Sequence, residues 1–237
     1  MPDTYQFSLP LVAASQAQKH VTVNEALARL DAVAQLRVIS SVRTTPPAAP
    51  VDGEAYLVPA GGVADWAGRG GEIALFANGG WVFLVPHPGW RLWNEAAGAW
   101  QMFDGQGWTS GATVVSMNGA ATLSRIIPIT FSLASGAVNT VAGAIPAFAQ
   151  VTGITGRVTT ALTGAAATWR LGVSGADDRY GSGLGRAQNS YVIGLSGAPV
   201  TYYAATDLLI TGEGGGLAAG TVELAIHVTE LVAPRAV

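Results

Sequence analysis

The chain has no cysteine, a single lysine (Lys19), and charged side chains at only 11% of its 237 positions. Without cysteine there is neither a disulfide framework nor a thiolate metal cluster, so stability must come from burial. With one lysine and a net charge of −3, no basic stripe exists to meet a phosphate backbone, which argues against a nucleic-acid binder. No apolar run reaches the roughly 18 residues that spanning a bilayer demands, so membrane insertion is not expected. Met1-Pro2-Asp3-Thr4 lacks the basic n-region of a secretory signal, and the expectation is a protein made in the cytoplasm. Apolar residues stand in place of charge, at 49%. A surface this poor in charge is expected to be covered by oligomeric association, because association hides apolar area that a monomer exposes.

Three blocks follow along the chain. Residues 1–45 form an N-terminal segment and helix. Thr22-Val23-Asn24-Glu25 reads as a capping box, with Thr22 as N-cap and Glu25 three residues on. Leu27, Leu30, Val33 and Ala34 recur at helical spacing, and Leu36 continues the run until Pro46-Pro47 forbids it. One such helix cannot bury its stripe alone; its partner would be the next module or the same helix in other subunits.

Residues 50–110 carry six of the seven tryptophans. Gly79-Gly80-Trp81, Gly89-Trp90, Gly98-Ala99-Trp100 and Gly107-Trp108 place a turn residue before a bulky ring every eight to ten residues, the rhythm of a small β-meander. Asn78-Gly79 between Ile73–Phe76 and Trp81–Val85 is a strong hairpin signal. Trp brings large contact area and a polar N–H, so the module either fills its own core or offers a binding face. Trp81 lies in a strand apolar on both faces and reads as core.

Residues 111–124, rich in Gly, Ala, Ser and Thr, read as a linker. Residues 125–237 hold short β-rich runs, among them Ile126–Leu133, Arg157–Leu162, Ala167–Val173, Ser190–Leu195, Asp207–Thr211 and Thr221–Val228. In the last, Val222, Leu224, Ile226 and Val228 alternate with Glu223, Ala225 and His227, a strand with one wet face. The fold class expected is mainly β: an N-terminal helix with a small antiparallel meander, then an antiparallel β-sandwich or jelly-roll-like domain.

Leu9-Pro10-Leu11-Val12-Ala13-Ala14-Ser15-Gln16-Ala17-Gln18-Lys19-His20-Val21-Thr22-Val23-Asn24-Glu25-Ala26-Leu27 resembles the opening of an uncharacterised family found in alphaproteobacterial prophages and gene transfer agents. Gly53-Glu54-Ala55-Tyr56, Trp66-Ala67-Gly68, Gly89-Trp90 and Asp104-Gly105-Gln106-Gly107-Trp108 are similar to the same family. The resemblance implies a surface appendage of a phage-like particle, a tail fibre or head spike that attaches to a host's surface polysaccharide. It further implies a homo-oligomer, usually a trimer, with other capsid, spike or tail proteins as partners. It supplies no catalytic residues and no cofactor.

Against that background, Asp177-Asp178-Arg179-Tyr180, in a Gly-rich stretch from Gly172 to Gly185 that reads as an exposed loop, is the first candidate for a glycan-contacting patch, together with Tyr202-Tyr203. Carboxylates accept sugar hydroxyls, Arg supplies a rigid donor fork and Tyr a stacking face. The bland reading is a solvated turn with an Asp–Arg pair. Arg91 and Trp93 are secondary candidates, because in Trp90-Arg91-Leu92-Trp93 only one ring shares a face with Arg91. Adjacent acids do not make a glycosidase pair, which needs two separated carboxylates, nor a calcium loop, which repeats acids at spacing two. His20, His87 and His227 fall in three different blocks and suggest neither a zinc site nor a triad. The expectation is thus an adhesion protein and no enzyme, with a capsule depolymerase and a purely structural adaptor as the rivals.

Overall fold

The computed structural model describes residues 3–12 and 19–236. It is mainly β and divides into two compact units, Met1–Ala121 with Ala233–Val237, and Thr122–Val232.

The first unit contains helix α1 (Lys19–Ala34) and strands β1 (Arg37–Val38), β2 (Ala55–Leu57), β3 (Ile73–Ala77), β4 (Gly80–Leu84), β5 (Arg91–Asn94), β6 (Ala99–Phe103), β7 (Trp108–Ser110) and β8 (Ala112–Val115). β2, β3 and β4 form one antiparallel sheet. A second runs β1-β5-β6-β7, with β1 parallel to β5 and the other pairs antiparallel. The β3–β4 hairpin turns on Asn78-Gly79, both at positive φ, as a two-residue loop between right-twisted strands requires. Leu36, Val38, Leu57, Ile73, Leu75 and Leu92 form one core cluster. Tyr56, Trp66 and Ala74 centre a second, against which Trp81 packs. Most rings of the meander turn inward: the Trp81 centroid lies 5.2 Å from Trp66 and 5.1 Å from Phe76, and Trp108 donates its Nε1–H to the Gly71 carbonyl at 3.1 Å.

Two expectations for the helix are corrected. It begins at Lys19, so Thr22 lies inside its first turn and cannot be the N-cap. Its inner face is not the apolar stripe either: Leu30, Val33 and Ala34 are exposed, and the buried position is Asp31. Polar satisfaction sets this orientation. The Asp31 carboxylate accepts hydrogen bonds from Thr4 Oγ1 (2.8 Å) and from the backbone N–H of Gln6 and Phe7 (both 2.7 Å). Asn24 exchanges two hydrogen bonds with the Val12 backbone. A charge-assisted network satisfied by segment 3–12 holds this face against the protein.

The second unit is a β-sandwich of β9 (Ala121–Ser132), β10 (Val138–Ile145), β11 (Ala149–Gly164), β12 (Thr168–Val173), β13 (Ala176–Leu184), β14 (Tyr191–Tyr202), β15 (Thr206–Glu213) and β16 (Leu217–Val232). One sheet runs β10-β15-β12-β13, and in the other β14, β11, β16 and β9 are neighbours in that order. Val151, Ile154, Val158, Val222, Leu224 and Ile226 of the second sheet meet Trp169, Leu171, Leu208 and Ile210 of the first in one core. The alternation read in Thr221–Val228 is the inner and outer face of β16. Two expectations fail here. Residues 111–124 are not a plain linker but hold β8 and the start of β9. Gly172–Gly185 is not a loop: it is the end of β12, a tight turn at Gly175 (φ 79°) and β13. Glycine is required inside this pair for contact, since a Cβ at Gly172 would come within 2.2 Å of the Ala176 carbonyl oxygen. Composition there reflects close strand approach rather than freedom.

Candidate functional site

One face of the β5–β6 hairpin carries an exposed ring, Trp100, next to half-buried Trp93. Side chains alternate along a strand, so Arg91 and Trp93 share a face of β5 and Leu92 points the other way into the core. The register sets Trp93 opposite Trp100 and Arg91 opposite Met102. The two indoles meet edge to face, centroids 5.5 Å apart at 68°, a preferred aromatic geometry. Trp93 is half-buried by this contact while Trp100 stays 51% exposed.

The hairpin is held firmly. Gly98 takes positive φ (58°) at its turn. Buried Asn94 accepts the Ala97 N–H at 3.2 Å and donates to Ser41 Oγ at 2.7 Å. Glu95 is ion-paired with Arg37, whose pKa is raised, chiefly through that hydrogen bond.

Beside Trp100 lies a surface depression of about 320 Å³, lined by Arg91, Trp100, Met102, Ala112 and Thr113 among others. Arg91 is exposed, and its guanidinium makes no ion pair or side-chain hydrogen bond among the described residues. An indole offers the apolar C–H face of a sugar ring a flat stacking partner, and a free guanidinium offers hydroxyls or carboxylates a donor fork. The secondary sequence candidates thus sit together on one surface.

The first candidates do not. Tyr180 is 1% exposed, its hydroxyl bonded to that of half-buried Tyr202 at 2.8 Å. Burial, then this hydrogen bond, pushes its pKa up. A ring packed in the sandwich core cannot stack on a glycan, so Tyr180 is withdrawn as a contact residue. Asp177 is engaged by Arg170 at 2.6 Å, and only Asp178, Arg179 and Tyr203 of the six are exposed. Simple alternation would put Asp178 and Tyr180 on one face; the register of β13 against β12 shifts between Leu171 and Val173, and that irregularity accompanies the split. Trp100 is the residue that sequence reasoning missed, and its signal was the hairpin register: a four-residue turn over 95–98 places it across from Trp93.

Among the described residues no cluster of three or more His, Cys, Asp or Glu could hold a metal ion. No described helix is long and apolar enough to cross a membrane.

Residues 23–109 match a family described as "Protein of unknown function (DUF2793)". No curated protein sequence matches the chain. A solved structure described as the cyanophage Pam1 capsid asymmetric unit is similar to it at 20% identity, covering 47% of this chain and 86% of that one, with a TM-score of 0.33.

Proposed function

We propose that this protein is a structural and adhesive component of a phage-like particle, displayed at the particle surface, that attaches to host surface polysaccharide without cleaving it. The observation that carries the adhesive reading is exposed Trp100, set edge to face against half-buried Trp93 beside an unpaired Arg91, within the stretch that matches the uncharacterised family. The phage context is supported by the resemblance of residues 9–27 and of the Gly–Trp motifs to prophage and gene-transfer-agent proteins. A shallow, partly apolar depression suits one or two sugar units bound weakly. Many copies on one particle turn such contacts into firm attachment through effective concentration.

The test is direct. Purified protein is passed over host capsular polysaccharide, and both retention and sugar-chain length are measured. Retention without shortening is the expected result. Shortening would make the protein a depolymerase, and neither effect would leave a purely structural adaptor. Within the retained case, Trp100→Ala is expected to weaken binding at least about tenfold, since ~1.4 kcal/mol is a modest share of what a stacked indole contributes. Tyr180→Phe is expected to leave retention unchanged, because that ring is enclosed.

A further inference from the structure

The outer face of the sheet β14-β11-β16-β9 departs from the rule that the open side of an antiparallel sheet is polar. Its edge strand β14 presents Tyr191, Ile193 and Leu195 outward in sequence, at 65%, 65% and 75% exposure. They stand as an apolar ridge along the β11 side. Ile126 on β9 and Leu231 on β16 are exposed as well, at 58% and 80%. Between ridge and β9 runs a trough of about 700 Å³ whose lining includes Pro128, Thr130, Thr155 and Ala225. Thr155, paired with Ala225 on one side, gives the trough a floor of small side chains, and its partner on the other side, Ile193, is part of the ridge.

Two charges stand in this trough. Arg157 lies opposite Glu223 of β16 and opposite Tyr191 of β14. Neither Arg157 nor Glu223 belongs to an ion pair within the chain, among the described residues; Arg157 donates only to the Asn189 carbonyl, at 3.1 Å. Two further titratable groups stand on this face: Tyr191, on the ridge, and His227, tied to Thr155 Oγ1 at 2.9 Å. The face therefore carries one free cation, one free anion, one ridge and one trough.

We propose that this face is an interface between copies of this chain. The ridge Tyr191-Ile193-Leu195 of one copy would seat in the trough of the next, with Arg157 of one meeting Glu223 of the other. The chemistry selects a second copy because both halves of the match, shape and charge, are present on one surface, the condition for self-association. Apolar rows of this exposure on an edge strand are otherwise a liability that soluble proteins avoid. The inference does not depend on the glycan reading, which concerns the other unit.

Light scattering on the size-exclusion-purified full-length protein tests it. The wild type is expected at two or more times the mass of one chain. Ile193→Asp with Leu195→Asp is expected at the mass of one chain, with an unchanged circular-dichroism spectrum because both side chains are already exposed. Arg157→Glu alone and Glu223→Arg alone are each expected to weaken association at least about tenfold through like-charge contact, and the two together to restore it. A wild type of single-chain mass overturns the proposal, as does a multimer that survives the Ile193/Leu195 pair of changes or a charge swap that restores nothing. Polysaccharide retention by the dissociated variant, measured per chain, separates this outcome from failure of the glycan reading.

Discussion

Trp169→Ala is expected to destabilise the second unit by about 3–5 kcal/mol, the cost of emptying a large aromatic site in a packed core. Trp169 is 1% exposed and stands at the middle of its sheet, paired with Leu184 of β13 on one side and Gly212 of β15 on the other. Its Nε1–H donates to the Gly185 carbonyl at 2.9 Å, so the change also strips a partner from a backbone acceptor. The glycines around it limit relaxation: a Cβ at Gly212 would already approach the Gly215 carbonyl oxygen to 2.4 Å, and backbone this close has no room to fold into a void. For a unit of this size the melting temperature should fall on the order of 15 °C. Trp169→Phe keeps most of the volume and loses the hydrogen bond, and should cost roughly half as much. Trp100→Ala is the control. It is half-exposed, and its stability effect should stay within about 1 kcal/mol. Calorimetry of the three variants decides the matter, and similar transitions for Trp169→Ala and Trp100→Ala would mean the sandwich core is not where the structure puts it.

That contrast between two tryptophans shows what the sequence can and cannot disclose. Trp169 was legible because Leu171 and Val173 alternate with it, so one strand sufficed to place it inside. Trp100 was not, because its exposure depends on which residue of β5 it faces, and register between strands is set by the turn rather than by either strand's own pattern. The Asn78-Gly79 hairpin could be read outright, since a two-residue loop with both residues at positive φ leaves little else. The mainly β character and the sandwich followed from the spacing of β-rich runs. Two strands of the sandwich escaped. β10 (Val138–Ile145) is rich in small residues and shows no clear alternation, and β13 (Ala176–Leu184) carries Gly181-Ser182-Gly183 with both glycines at positive φ, pressing against Gly172 of β12 at its other end. Gly-rich composition was read as freedom, and the strands use it for contact.

The helix shows a different limit. Helical spacing correctly marked a helix, but the apolar stripe gave the wrong inner face. Asp31 and Asn24 turn inward because the segment 3–12 brings backbone donors and acceptors that satisfy them. A periodicity count treats a polar residue as solvent-facing and has no access to a hydrogen-bond partner some 25 residues away. The candidate site suffered from the same blindness: the hydroxyls of Tyr180 and Tyr202 do meet, but the Tyr180 ring is enclosed in the core.

Asp104→Ala is expected to destabilise the first unit by about 2–4 kcal/mol. The side chain is 0% exposed and closes the turn into Trp108 by accepting the N–H groups of Gln106 and Gly107, both at 2.9 Å. It is also ion-paired with Arg235, which anchors the chain's last residues: the Arg235 N–H donates to the Asn118 carbonyl at 2.9 Å, and its side chain lies across Gly119, where a Cβ would come within 2.8 Å of Cγ. Removing the carboxylate leaves two turn N–H groups unpaired. It also releases Arg235, although that end keeps access to water and contributes the smaller part. Burial pushes the Asp104 pKa up, but the two N–H groups and Arg235 outweigh it and hold the carboxyl below its ordinary value. A depressed folded pKa means the stabilisation is complete above the unfolded carboxylate value of about 3.9 and is lost as pH falls through the folded one. Glu213, in the second unit, acts with the same sign, held low by the Thr168 hydroxyl and the Gly183 N–H. Melting temperature should therefore drop as pH is lowered below about 4. Asp104→Asn separates the contributions. It keeps an oxygen for the turn but no charge for Arg235, so it should lose less stability than Asp104→Ala and show a shallower acid dependence than the wild type. Arg235→Gln should add little to Asp104→Ala, because the pair acts as one unit. Full additivity of those two changes would place the turn and the C-terminal anchor under separate control, contrary to the shared carboxylate seen here.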